Sequence, residues 1–121
     1  MRKIALLLFG SAMNVMFMYS YSKNIKGLDV HVDVRIDENQ FLNKTMSDVQ
    51  KCFADPVKCE EVVFEDGWIW FAHEKRCFVG KDVVREIHFL NDEKITIAWL
   101  KFLGDDWHVI YDVTIPKYVS F

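Results

Sequence analysis

Residues 28–36, LDVHVDVRI, alternate between apolar and polar side chains without a break. Leucine, valine and isoleucine occupy every second position, and aspartate, histidine and arginine stand between them. A period of two residues is typical of a strand that buries one face and exposes the other. This segment therefore requires a sheet, and we expect His31 and Asp33 to face solvent.

A helix is predicted directly after this strand, over residues 38–54. Asp37 is suited to cap its first turn, and Gln40 follows three residues later, which is the capping-box spacing. Apolar residues then recur at intervals of three and four along one face: Phe41, Leu42, Met46, Val49, Cys52 and Phe53. Asp55-Pro56 should end the helix, because a residue before proline disfavours the helical conformation.

A β-hairpin is predicted around Asp66-Gly67, which lies between the apolar runs EVVFE and WIWFA. Asp-Gly between two such runs is a strong hairpin signal, because both residues tolerate positive φ. In the returning strand, alternation places Trp68 and Trp70 on one face and Ile69 and Phe71 on the other. One of these faces should cover the core, which leaves the other available as an aromatic patch.

A second hairpin is predicted from ITIAWLKFL and WHVIYDVTI, which flank GDD. In its last strand, Trp107, Val109, Tyr111, Val113 and Ile115 are expected to face inward, and His108, Asp112 and Thr114 outward. The preceding residues 81–94 fit a strand that ends in a tight turn at Asn91-Asp92. A short helix capped by Asp82 is the alternative, and the strand is favoured because of that turn.

These elements predict an α+β fold, in which one N-terminal helix packs on a curled antiparallel sheet of about five strands. The order is that of cystatin-like and NTF2-like rolls, a similarity of topology that no sequence signature of either family accompanies. The predicted domain organisation is a leader, residues 1–22, followed by a single α+β domain, residues 23–121.

The leader begins with Arg2 and Lys3 and continues with an apolar run over residues 4–21. The run is longer than a secretory apolar region of about 7 to 15 residues and only reaches the lower limit of a membrane span, about 18 residues. Ser20 and Ser22 are suited to cleavage before Lys23, and the alternatives are a retained membrane anchor or a buried cytosolic helix. Either of the first two predicts a periplasmic, secreted or inner-membrane-tethered protein.

The three cysteines, Cys52, Cys59 and Cys77, allow at most one internal disulfide. Cys52 and Cys59 flank the turn predicted at Asp55-Pro56, so a bridge between them is possible. A bridge between Cys59 and Cys77 is a second possibility, and three buried thiols are a third.

No reaction-specific motif is present in the sequence. His73, Glu74 and Cys77 stand together in HEKRC, but no cysteine-hydrolase signature surrounds them. The histidines, His31, His73, His88 and His108, lack the spacing of a zinc motif, so no metal or other cofactor is expected. A formal charge of −3 argues against a nucleic-acid partner.

The interpretation that remains is an exported, non-enzymatic binding protein of the bacterial envelope, acting as an inhibitor or immunity protein on a protein partner. Trp68 and Trp70 are the predicted binding anchors, with Asp66 and His73 beside them, since tryptophan is frequent at the centre of protein interfaces. The alternative is a small apolar ligand-binding protein or an accessory subunit of an envelope assembly. Contact with a membrane is expected only through residues 4–21, if they are retained.

Overall fold

The computed structural model describes residues 15–25, 27–54 and 56–119; within these, it leaves out the side chains of residues 15, 21–25 and 28–33. This part of the chain forms eight strands and one short helix. The strands are β1 (Val15–Ile25), β2 (Leu28–Glu38), β3 (Pro56–Val62), β4 (Trp68–Phe71), β5 (Glu74–Phe78), β6 (Val84–Asn91), β7 (Lys94–Leu103) and β8 (Asp106–Pro116). The helix is α1 (Met46–Gln50).

Six strands form one antiparallel sheet in the order β1-β2-β8-β7-β6-β3, and β4 and β5 form a separate hairpin. The β4–β5 hairpin packs on one face of the sheet, where Ile69 and Phe71 join a core that includes Trp99 and Tyr111. On the opposite face, α1 packs through Val49 against a second core. The predicted antiparallel sheet is confirmed, but the predicted α+β roll is wrong, because the described chain is predominantly β.

The helix predicted over residues 38–54 is wrong in its first half. β2 continues to Glu38, which pairs with Val113 of β8 and is buried. The chain then turns at Asn39 and Asn43, whose φ angles of 60° and 67° lie in the left-handed region. Asparagine tolerates this conformation better than most residues, and a right-handed helix cannot pass through it.

The helix that does form begins after Thr45, whose Oγ1 accepts a hydrogen bond of 3.2 Å from the Asp48 backbone N–H. This is N-capping, with threonine in place of the predicted aspartate. Several residues of the predicted apolar stripe nevertheless pack together on the second core: Phe41, Met46, Val49 and Phe53. The apolar spacing therefore identified a packing surface rather than a continuous helix.

The hairpin predicted around Asp66-Gly67 is also wrong, because β3 pairs with β6 instead of β4. A turn does form there, and the Gly67 N–H donates to the Phe64 carbonyl at 2.9 Å. The chain leaves the sheet at this turn, and β4 then pairs with β5. The residues that connect β4 to β5 are Ala72 and His73, both with positive φ (52° and 62°).

The β7–β8 hairpin and the strand predicted within residues 81–94 are confirmed. Tyr111, Val113 and Ile115 of β8 are buried as predicted, but they do not share a face with Trp107 and Val109. Leu100 pairs with Val109 and Trp99 with Tyr111, so Ile110 forms a β-bulge. An extra residue shifts the alternation by one position. Trp107 and Val109 consequently face the α1 side, Tyr111, Val113 and Ile115 face the hairpin side, and Asp112 and Thr114 are buried instead of exposed.

Candidate functional site

The β4–β5 hairpin has an inner face that is buried and an outer face that carries aromatic side chains. Ile69 and Phe71 point inward and are 0% and 8% exposed. We define the hairpin outer face by its four residues: Trp68, Trp70, Lys75 and Phe78. Trp70 is 48% exposed and Phe78 is 61% exposed. The prediction that Trp68 and Trp70 lie on one face of β4, and Ile69 and Phe71 on the other, is therefore confirmed.

Trp70 is fixed although its side chain is half exposed. Its indole Nε1 donates to the Asp66 carboxylate at 2.6 Å, and the other carboxylate oxygen accepts from the Trp68 backbone N–H at 3.1 Å. These hydrogen bonds lower the pKa of Asp66, the bond from Trp70 most of all. The Lys75 ammonium group lies 5.4 Å and 5.6 Å from the Trp68 and Trp70 ring centroids, within the range of a cation–π contact.

Arg76 attaches the hairpin to the sheet. It is 8% exposed, and its guanidinium lies 3.5 Å from the buried Glu38 carboxylate and 2.7 Å from Glu74. The Tyr111 hydroxyl donates to the same Glu38 oxygen at 2.6 Å. Burial and this neighbouring carboxylate raise the pKa of Tyr111, so its proton remains in place. The arginine guanidinium also lies 4.1 Å from the Phe17 ring centroid.

A cleft of about 550 Å³ lies between the hairpin and the sheet. Its volume is within the usual range for small-molecule sites. Most of its lining is apolar: Trp70, Phe71, Ala72, Ile95, Ile97, Trp99, Ile115 and Val119. The polar lining residues are His73, Glu86, His88 and Lys117. The cleft therefore combines an apolar surface with a small number of polar groups.

Glu86 is held in the cleft by two side-chain hydrogen bonds. One of its oxygens accepts from Trp99 Nε1 at 3.0 Å, and the other lies 3.0 Å from His88 Nε2. The bond to His88 is the main cause that lowers the pKa of Glu86, and the charge of Lys58 contributes. The carboxylate is thus ionised at neutral pH, and both of its oxygens are occupied.

The predicted binding residues lie together on or beside the hairpin. Trp68 and Trp70 are on the outer face, Asp66 is bonded to both, and His73 is in the β4–β5 turn. Trp70 and His73 also line the cleft. Cys52 and Cys59 are both free thiols, so the possible bridge between them is not formed.

Sequence reasoning missed Arg76, Glu86, His88 and Lys117. Glu86 and His88 alternate within β6 with the buried residues Ile87 and Phe89, a period of two that places both on one face of the strand. No local pattern indicates that this face borders a cleft, because the opposite wall comes from β4 and from the segment after β8.

The part of the chain that the structure describes assembles no metal centre. No group of three or more His, Cys, Asp or Glu residues there could hold a metal ion. The side chain of His31 is outside the described set. Cys77 packs against the core, and its thiol lies 3.9 Å from the Ile110 carbonyl oxygen.

No family model matches the chain, and comparison with curated proteins and with solved structures gives no match. Among the described residues, no helix has the length and apolar character needed to cross a bilayer. Residues 1–14 of the predicted leader lie outside the described residues, whereas residues 15–22 belong to β1.

Proposed function

We propose that this is an exported, non-enzymatic binding protein of the bacterial envelope, whose hairpin outer face contacts a protein partner as an inhibitor or immunity protein does. The observation that carries the proposal is the fixed position of the exposed Trp70 indole, 2.6 Å from Asp66. A side chain that is already ordered loses little conformational entropy on binding. Its large apolar area is then available to the partner.

Two further features support this choice of surface. Phe78 is 61% exposed and lies 5.1 Å from the Trp68 ring centroid, so the aromatic surface extends beyond Trp70. The chain carries a formal charge of −3, which favours approach of a basic partner. The export part of the proposal is supported by the basic start and the apolar run that follows it.

The test begins with capture of a partner from an envelope or secreted fraction, using the full chain as bait, followed by affinity measurement with the purified pair. Trp70→Ala should weaken binding by about 30-fold, the effect of removing an interface anchor, with the melting temperature nearly unchanged. Asp66→Asn should weaken binding less than Trp70→Ala does, because the indole remains but its carboxylate partner loses its charge.

The matched control is Phe102→Ala. Phe102 is 54% exposed, and it lies beside Trp107 on the α1 side of the sheet, away from the hairpin outer face. This variant should bind the partner as the wild type does. Failure to recover a stoichiometric partner, equal effects of Trp70→Ala and Phe102→Ala, or unfolding of Trp70→Ala would each refute the proposal.

A further inference from the structure

The apolar side chains that line the cleft come mainly from two elements. Ile95, Ile97 and Trp99 come from β7, and Trp70 and Phe71 come from the hairpin. Ile95 and Ile97 are only partly buried. A ligand that covered them would remove apolar surface from water, which is the main favourable contribution to binding in such sites.

The polar groups of the cleft distinguish between a cationic and an anionic ligand. Glu86 is the acidic lining residue, and its oxygens are already engaged by Trp99 and His88. Lys58, which forms an ion pair with Glu60, adds positive charge near it. A cationic ligand would therefore compete with existing partners of Glu86.

Lys117 and His73 differ from Glu86 in their hydrogen bonds and ion pairs. Both line the cleft, and both are exposed. Among the residues whose side chains are described, no carboxylate forms an ion pair with the Lys117 ammonium group, and no hydrogen bond engages the His73 ring. An anionic group at this position would gain a partner without displacing one.

The turn that carries His73 is strained. Ala72 and His73 both have positive φ, where a two-residue hairpin turn normally contains asparagine or glycine. Residues in such a conformation persist only where the surrounding structure maintains it, and they are frequent at functional sites. Here it positions the His73 backbone and the adjacent hairpin wall at the cleft.

From this arrangement we infer that the cleft binds a small amphipathic molecule, with its apolar body between the hairpin and β7 and its anionic head group beside Lys117 and His73. The site is separate in chemistry from the protein-binding surface proposed above, although Trp70 borders both. The inference therefore does not depend on a protein partner.

The experiment is calorimetric titration of the full chain with decanoate, decyl phosphate and decanol, each below its aggregation concentration. We expect saturable binding at one site, with at least one anionic probe binding about fivefold more tightly than decanol, the effect of one exposed ion pair. The two anionic probes distinguish a carboxylate from a phosphate head group.

Three variants identify the site. Lys117→Gln should bring the affinities for the anionic probes close to that for decanol. Lys94→Gln makes the same change of charge at an exposed lysine outside the cleft lining and should leave the preference unchanged. Ile97→Trp should fill the cleft and weaken all three probes by about tenfold or more. Ile95→Trp is the second filling variant, for use if Ile97→Trp does not fold.

Several results would overturn the inference. These are the absence of saturable binding, equal affinity of wild type for decanol and for both anionic probes, equal effects of Lys117→Gln and Lys94→Gln, or full affinity in a folded filling variant. None of them bears on partner binding, which is measured separately with Trp70→Ala, so failure of the two proposals can be distinguished.

Discussion

Gly67 combines an unusual backbone conformation with close packing. Its φ is 77°, and a Cβ atom there would lie 3.0 Å from the Gly80 Cα and 3.0 Å from a Phe78 ring carbon. Gly104 has a similar φ of 69°, but no atom lies within 4 Å of its Cβ position. In both alanine variants the left-handed conformation is strained, and Gly67→Ala must also displace the Gly80 backbone.

We therefore expect Gly67→Ala to lower the free energy of unfolding by about 1 to 2 kcal/mol more than Gly104→Ala does. Urea denaturation of both variants measures the difference. Equal losses at the two positions would show that the contact with Gly80 relaxes without cost.

Asp112 connects β8 to the segment after β2. It is fully buried, and its carboxylate accepts from the Gln40 and Phe41 backbone N–H groups at 2.9 Å and 3.0 Å. Burial is the main cause that raises the pKa of Asp112 to about 6, above its usual value of 3.8. The folded protein therefore binds this proton at higher pH than the unfolded chain does.

The stability contributed by protonated Asp112 should be present below pH 4 and lost as the pH rises through 6. Between pH 6 and pH 5, the free energy of unfolding of the wild type should rise, relative to Asp112→Asn, by about 1 kcal/mol. Denaturation of both proteins at each pH tests this, since shifts at other groups cancel in the difference. A difference independent of pH would contradict the assignment.

At the scale of elements, the attachment of the β4–β5 hairpin depends on a buried ion pair. Arg76→Met removes the cation that faces the buried Glu38 carboxylate, and the expected loss is about 3 kcal/mol. In a Glu38→Gln background, the same change should cost much less, because the buried charge is gone while an oxygen remains for the Tyr111 hydroxyl. Chemical denaturation of both single variants and the double variant gives this coupling energy.

Arg85→Met is the control for that cycle. Arg85 pairs at 2.8 Å with Glu61, whose side chain is 55% exposed, so water can replace the arginine. The expected loss is about 1 kcal/mol or less. If Arg76→Met costs the same in both backgrounds, the ion pair with Glu38 does not contribute to the attachment of the hairpin.

At the scale of the whole molecule, the predicted leader overlaps β1, so its cleavage would change the stability of the fold. Cleavage before Lys23 would remove most of β1, including Phe17, which is 9% exposed and contacts Arg76. A chain that begins at residue 23 should therefore be less stable than one that begins at residue 15, by about 3 kcal/mol or more. Thermal or urea unfolding of the two chains provides the comparison.

Amino-terminal sequencing of the protein from an envelope fraction completes that test. A first residue of Lys23 would establish the predicted cut, and Met1 would show that the leader is retained. Equal stability of the two shortened chains would mean that residues 15–22 are dispensable for the fold. Recovery of the full chain from the cytosol would contradict export in either form.

Part of this organisation was predictable because it depends on local sequence. The alternation in residues 28–36 produces β2, and the apolar runs on either side of Gly104 produce the β7–β8 hairpin. The same period of two placed Trp68 and Trp70 opposite Ile69 and Phe71, so the exposed aromatic face could be identified before the structure. Alternation survives in the fold because side-chain direction along a strand is a property of the backbone itself.

The features that depend on distant partners follow from tertiary packing and not from any local pattern. The bulge at Ile110 reversed the facing of Tyr111 and buried Asp112, and the pairing of β3 with β6 displaced the expected hairpin to Ala72-His73. The cleft likewise joins three strands to the hairpin and the segment after β8. No local pattern determines such contacts, because a strand edge can pair with several others, and packing of the whole chain selects among them.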